Sequence, residues 1–313
     1  MVCLALAGGV GGARMAHGLA MVLPPEELIV AVNVGDDFTH LGLRICPDLD
    51  TVMYTLAGLA NPETGWGIRN ETWNAMDALE ALGGPAWFRL GDRDLATHLE
   101  RTRRLTAGES LSAVTVDLCA ALGVRHRIVP VSDTPVSTIV ETDEGELPFQ
   151  DYFVKRQCEP AVSGFRFAGA ADARLSPPLI GAMQSDKIDC VIICPSNPYV
   201  SIAPVFAIPG MREFLASENP VVAVSPIIGG AAVKGPAAKM MNELGVGPSV
   251  TTIARHYQGI ADGLVIDTTD AALTKDLRKE GLSVLVTETV MRSDDIRKNL
   301  ASETLAFARG LRG

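Results

Sequence analysis

Short, wholly apolar runs alternate along the chain with longer amphipathic stretches. That rhythm predicts an α/β fold: parallel strands buried on both faces read as unbroken apolar runs, and the crossovers between them are helices. Val2–Ala7 and Leu28–Asn33 are predicted to be two such strands, joined by a helix from about Ala13 to Leu23. A helix over Asp50–Leu59 follows. Glu71–Leu82, Asp92–Leu105 and Leu111–Leu122 then form an almost strandless helical block, about residues 61–123, expected to be an insertion beside the sheet.

Arg127–Val131, Ser137–Glu141 and Val162–Ala168 alternate or are rich in strand formers, and Asp143-Glu144-Gly145 marks a hairpin turn. A small β subregion is expected there, about residues 127–170. The α/β rhythm then returns. Helices at Pro178–Gln184, Gly210–Ala216, Pro236–Leu244 and Ala271–Glu280 alternate with strands Cys190–Cys194, Val221–Val224, Leu264–Ile266 and Ser283–Thr287, before a last helix from Asp294. With no repeat and no low-complexity linker, one α/β unit over residues 1–313 is expected, a mostly parallel sheet with helices on both faces.

Composition agrees with a globular chain: of 313 residues, 47% are apolar and 20% charged, with a mean hydropathy of +0.21. A net charge of −10 argues against a nucleic-acid backbone as partner. An anionic ligand must instead be met by local N–H groups, a few Arg or Lys side chains, or a metal ion. The N-terminal apolar run is too short for a signal peptide and lacks a basic flank, and no run of eighteen apolar residues occurs, so no membrane partner is expected. The six cysteines form no CxxC pair, and Cys190 and Cys194 sit in an apolar run as buried, inert thiols. A cytoplasmic location fits this set.

Five constellations carry chemistry. Gly8-Gly9-Val10-Gly11-Gly12 joins the first strand to its helix, where free amides and the helix dipole suit an anion. Gly9, Gly11 and Gly12 are the phosphate-binding candidates, although such a turn also serves packing alone. Arg14 is placed either to clamp the same anion or to lie on an exposed helix face. The turn lacks the Gly-Lys-Ser/Thr ending of a P-loop and strict GxGxxG spacing. The second constellation is Asp36, Asp37, Asp48 and Asp50, beyond the second strand, where open α/β sheets bind ligands. Asp36 and Asp48 are equally suited to turns and helix caps. Asp37 and Asp50 are the stronger candidates to hold Mg²⁺ or orient a hydroxyl, with Asp36 beside them.

Trp87-Phe88-Arg89-Leu90-Gly91-Asp92-Arg93-Asp94 supplies an aromatic wall for a flat ring, with Asp92 and Asp94 read as helix N-terminal charges. Trp66, Arg69 and Trp73 either share that wall or pack in the core. Ser196 and Asn197 follow the Cys190–Cys194 strand, and Gly229, Gly230 and Lys234 follow Val221–Val224, which adds two more loops at the same sheet edge. Three such loops together favour a nucleotide-phosphate crevice. The histidines show no metal-ligand spacing; His40, in the acidic loop, is the one placed to contact a ligand.

The ordered stretches GGVGGAR (Gly8–Arg14), NVGDD (Asn33–Asp37), GLRICPDLDTVMYTLAG (Gly42–Gly58), the Trp66–Trp73 segment, WFRLGDRDLATHL (Trp87–Leu99), PSNPYVSI (Pro195–Ile202), SPIIGG (Ser225–Gly230) and RHY (Arg255–Tyr257) resemble the 2-phospho-L-lactate transferase family (CofD/FbiA-like). The segment between Leu99 and Pro195 contributes nothing to the resemblance. It implies a Rossmann-like fold, a homodimer, and a Mg²⁺-dependent transfer in the biosynthesis of the deazaflavin coenzyme F-420. In that reaction the ribityl hydroxyl of the deazaflavin Fo attacks the β-phosphorus of a guanosine diphosphate diester carrying lactate, enol-pyruvate or glycerate, and GMP leaves. The resemblance puts Asp50 and Arg89, with Trp87 beside them, against Fo. The metal would fall to Asp36, Asp37 and Asp50. The nucleotide would lie on Gly9, Gly11, Gly12, Arg14, Ser196, Asn197, Gly229, Gly230 and Lys234, though some relatives carry Arg where Lys234 stands. An NAD(P)-dependent oxidoreductase is the rival enzyme, but it needs a ribose-reading residue where Gly35-Asp36-Asp37 stands. A non-catalytic nucleotide-binding regulator would leave the Asp37/Asp50 pair and the aromatic wall without a role.

Overall fold

Seven strands form one parallel sheet: β1 (Val2–Ala7), β2 (Leu28–Val32), β3 (Arg127–Pro130), β4 (Ile188–Ile193), β5 (Val221–Val224), β6 (Gly263–Asp267) and β7 (Ser283–Thr287), in the spatial order β7-β6-β5-β4-β1-β2-β3. The computed structural model describes residues 1–185, 188–217 and 219–311. Every neighbouring pair is parallel. Each residue of β1, β2, β4, β5 and β6 is buried, which requires cover on both faces and agrees with the unbroken apolar runs. The Rossmann-like α/β arrangement expected from the chain is thus the observed one.

The order follows from the connections. From β1 the chain steps outward through β2 and β3, returns to β4 on the other side of β1, and steps outward again. Loops leaving β1 and β4 therefore flank the switch point of the sheet, where α/β sheets carry their ligand crevice at the carboxyl ends of the strands. Two differences from expectation bear on that edge. Arg127–Val131 joins the main sheet through β2, so the antiparallel subregion is Ser137–Thr142, Gly145–Pro148 and Val162–Ala168. A short hairpin not evident in the sequence, Phe38–His40 with Leu43–Ile45, carries the acidic loop onward.

The two helices beside the site start earlier than periodicity predicts, while the helix expected from Glu71 starts later, at Asn74. α1 spans Gly9–Val22 and α2 spans Pro47–Leu56. The glycines conceal the first turn of α1 because they weaken its helical pattern. Pro47 suits the first turn of α2, where no amide is needed. Asp48 and Asp50 thus lie inside a helix. The insertion contains α3 (Asn74–Ala81), α4 (Asp92–Thr106) and α5 (Leu111–Ala121). Its first two helices cap one another: Glu71 accepts the Arg93 and Asp94 amides at 2.9 and 3.0 Å, while Asp92 accepts those of Asn74 and Ala75 at 3.1 and 3.0 Å. Thr72 and these donors hold the Asp92 carboxyl down at about 2. Asp92 therefore caps the neighbouring helix as well as charging the start of its own. The predicted Ala271–Glu280 helix is a 3-10 segment, Thr268–Leu273, followed by a helix over Thr274–Lys279.

The β1 and β4 loops interlock at the crevice. The Ser196 hydroxyl donates to the Gly8 carbonyl at 2.8 Å, and the Gly8 amide donates to Ser196 Oγ at 3.2 Å. A Cβ on Gly11 would stand 2.0 Å from the Pro195 carbonyl oxygen, a rigid backbone atom. Close packing alone thus demands that glycine. Gly9 has room around it but adopts a φ of +63°, the left-handed region that favours glycine. Gly11→Ala should lower stability by about 1–3 kcal/mol, the usual cost of overpacking. Thermal unfolding checks this; an unchanged midpoint would leave Gly11 to ligand binding only.

Candidate functional site

Asn33, wholly buried at the end of β2, organises the acidic rim. Its side-chain amide donates to Asp36 Oδ1 at 3.2 Å, to Asp48 Oδ2 at 3.0 Å and to the Val200 carbonyl at 3.3 Å; its own oxygen accepts the Gly35 amide at 2.8 Å. The other Asp48 oxygen accepts the Gly9 amide at 2.7 Å. Asp48 is therefore a capping carboxylate, but for α1 and not for its own helix. That contact occupies the Gly9 amide. The rest of the first turn, Val10 and Gly11, carries amides that α1 itself leaves unbonded. Burial lifts the Asp48 carboxyl to about 6, against the pull of Asn33 and the Gly9 amide. Burial first and Asp48 second push Asp36 well above the ordinary carboxylate range.

Asp37 is buried beside Arg44, whose guanidinium donates to Oδ2 at 3.2 Å, while Oδ1 is buried without a hydrogen-bond partner. Burial outweighs Arg44 and raises the Asp37 carboxyl to about 7. Asp50, one turn into α2, is gripped through both oxygens by Arg101 of α4. Arg101 is 1% exposed. Its guanidinium also approaches His98 Nδ1 at 3.2 Å, and His98 Nε2 lies 3.3 Å from Asp94, which accepts the Tyr54 hydroxyl at 2.8 Å. The His98–Asp94 contact is close but poorly aligned, since His98 Nε2 has no hydrogen-bond partner. Asp50, Asp94 and His98 offer ligand atoms within 4.8 Å of one another. Arg101 already balances the Asp50 charge there, whereas Asp36, Asp37 and Asp48 share the single guanidinium of Arg44.

The aromatic wall forms, with more members than expected. Trp87 meets His40 edge-on at 5.1 Å between ring centroids, and Phe38 meets Phe88 at 4.9 Å. Lys155 lies 5.8 Å from the Trp87 centroid. Arg89 projects elsewhere: it donates to Asp77 at 2.6 Å, lies 5.1 Å from the Trp73 centroid and is exposed. Trp66 and Trp73 are exposed, so they are not core residues.

On the nucleotide side, Ser196 ties down Gly8, and the Asn197 side-chain oxygen accepts the Tyr199 amide at 3.0 Å. Both are engaged in shaping the loop. Gly229 and Gly230 turn a two-residue hairpin with φ of +56° and +78°, and the Gly229 amide donates to Asp270 at 3.0 Å. Lys234 donates to the Thr64 carbonyl, and burial, then Arg14 nearby, lower the proton affinity of its ammonium from the ordinary lysine value. Arg14 and Lys234 thus form a small cationic pair beside the first turn of α1.

Sequence reasoning missed Asn33, Arg44, His98 and Arg101. The signal for the last two was present: Asp94, His98 and Arg101 follow an i, i+4, i+7 spacing that puts them on one face of α4. Asn33 was signalled as the polar residue ending a buried apolar strand. Arg44 offered no local signal.

A family model for the 2-phospho-L-lactate transferase CofD matches residues 3–304. The phosphoenolpyruvate transferase of Streptomyces griseus is 42% identical over the full length of both chains. The 2-phospho-L-lactate transferase of Methanosarcina mazei is 40% identical over 94% of this chain and 96% of its own. Among solved structures, a UPF0052-family protein from Bacillus halodurans superposes with a TM-score of 0.61 over 97% of this chain and 98% of its own, at 15% identity, a likeness of fold alone. The ordered motifs, the parallel sheet with its crevice and the match along nearly the whole sequence agree: this chain belongs to the 2-phospho-L-lactate transferase CofD family.

Proposed function

We propose that the chain joins a three-carbon phospho-acid to the deazaflavin alcohol Fo, taking it from a guanosine diphosphate diester in coenzyme F-420 biosynthesis. The ribityl hydroxyl oxygen bonds to the β-phosphorus, the bond from that phosphorus to the bridging oxygen breaks, and GMP leaves with it. The observation that carries this reading is the charge imbalance at the rim. Asp36, Asp37, Asp48 and Asp50 are matched there by Arg44 and Arg101, and one Asp37 oxygen is buried without a partner. A surplus of two carboxylates suits one divalent cation.

Mg²⁺ is usually held by one or two carboxylates together with water and phosphate oxygens. Asp37, with Asp36 beside it, fits that demand. Bound there, the ion supplies charge to the phosphoryl oxygens as GMP departs. Asp50 faces the same rim and complements the metal set, but Arg101 already balances its charge. It is better suited to accept a hydrogen bond from the Fo hydroxyl and orient it, the proton passing to the departing GMP phosphate or to water. The free first-turn amides of α1, with Arg14 and Lys234, receive the diphosphate. The Trp87–His40 wall offers a face for the deazaflavin ring. Relatives named for phosphoenolpyruvate and for 2-phospho-L-lactate are similarly distant, so the acid is proposed as a class.

Mass spectrometry of the products formed from Fo with lactyl, enol-pyruvyl or glyceryl guanosine diphosphate tests the reading. One donor should yield an Fo-linked phosphodiester and GMP in the presence of Mg²⁺; no product from any of them would overturn it. Asp37→Asn should cut turnover by about a hundredfold or more while the protein stays folded; near-normal rates at saturating Mg²⁺ would reassign the metal. Arg89 is exposed and held by one surface ion pair to Asp77, so on this reading it swings from that pair to Fo: Arg89→Ala should raise KM for Fo by about tenfold and leave that for the guanylyl donor unchanged, with little loss of stability. The reverse pattern would move Arg89 to the phosphate side.

Stability should depend on pH in a defined direction. Asp37 and Asp48 hold their protons to about 7 and about 6 in the fold, whereas an unfolded carboxyl releases its proton near pH ~4. Their contribution is fully present on the acid side of that value and is lost as pH rises through 6 and 7. Without divalent cations the melting temperature should fall from about pH 5 to about pH 8, and Mg²⁺ should raise it more at the higher pH. Melting curves with and without Mg²⁺ check both; equal shifts at the two pH values would contradict the assignment.

A further inference from the structure

Arg101 is among the largest fully buried side chains in the described structure. Burying a guanidinium and a carboxylate is costly, and replacing such a pair by apolar residues is often neutral or stabilising. Stability alone is thus a weak reason for this pair. Its geometry offers a stronger one. Arg101 grips both Asp50 oxygens, and its Nη1 reaches the Arg44 carbonyl at 3.5 Å. The Arg44 side chain pairs with Asp37, and its amide donates to the Thr102 hydroxyl at 2.8 Å, one residue along α4 from Arg101. Residues 101 and 102 of one helix therefore touch both the Asp50 side and the Asp37 side of the rim. Behind the guanidinium, His98 and Asp94 close the arrangement at 3.2 and 3.3 Å, and Tyr54 returns it to α2.

We propose that Arg101 is a positioning residue, which sets the plane of the Asp50 carboxylate and its spacing from Asp37 by gripping Asp50 and bracing the Arg44 backbone. The inference rests on the assignment of Asp50 to the acceptor hydroxyl under the proposed function. A planar fork holding two oxygens fixes orientation, which a lysine ammonium at the same site does not. The insertion that carries α4 is then part of the site through its buried face.

The test is a double-mutant cycle of Arg101→Lys and Asp50→Asn, with thermal melts, steady-state kinetics and calorimetric titration of Fo. Arg101→Lys should lower kcat by about tenfold and weaken Fo binding about fivefold, while KM for the guanylyl donor changes by less than about twofold. In the Asp50→Asn background the lysine should cost nothing further, because both changes remove the same function. Additive losses, or a kcat close to that of the unaltered protein, would overturn the inference. Should Arg101→Lys fail to fold, His98→Gln replaces it in the cycle: a lowered kcat that vanishes in the Asp50→Asn background supports the inference, and an additive loss overturns it. A fully active Asp50→Asn would instead defeat the assignment of Asp50 on which the inference stands, a distinguishable result.

Discussion

Four carboxylates gathered at one edge of a sheet, with two guanidiniums to balance them, form the constraint on which this molecule's site depends. Carboxylates at such density are held only where something else restrains them. Asn33 does so by donating to two of them at once. Its own oxygen is fixed by the Gly35 amide, so the side chain cannot turn to relieve either contact. The raised proton affinities of Asp36, Asp37 and Asp48 follow from that confinement: each is buried, and the nearby donors only partly offset the loss of water.

The acids are divided by their partners. Asp48 has turned toward the glycine turn, where it fills the N-terminal end of α1. Asp50 has turned toward α4, and Asp37 toward the hairpin through Arg44. Spacing along the chain gives no hint of these roles, because Asp48 and Asp50 share one turn of α2 yet face different elements. The glycine turn is similarly double in purpose. Gly11 is required by the backbone of the facing loop, and the Gly9 amide is already bonded, so the anion-receiving capacity lies in the next amides of α1.

Most of the fold was legible in the chain because buried parallel strands write themselves as apolar runs; β1, β5 and β7 have the predicted limits. What escaped was set by long-range pairing. β3 is four residues long, opens on an exposed Arg127 and lies close in sequence to the antiparallel segments that follow it, so its parallel partner β2 could not be inferred locally. The Phe38–His40 hairpin has strands of three residues, too short for a period to register. In the site, the Asp36–Asp37 pair and the Trp87 wall were visible as composition at a strand end and before a helix. Arg44 and Arg101 were not, since their importance comes from pairing with Asp37 and Asp50 across the fold.

The clasp between Gly8 and Ser196 joins residues 188 positions apart. Nearly two-thirds of the polypeptide must therefore have left the ribosome before the crevice can exist, and closing so long a loop is slow compared with forming any one helix. The acidic rim can gather earlier, from residues 33 to 101, and would wait as an unpartnered, proton-holding cluster until the second half of the sheet docks. Assembly of the catalytic edge is on this view a late event in folding, out of reach of any chain shorter than its Ser196 loop.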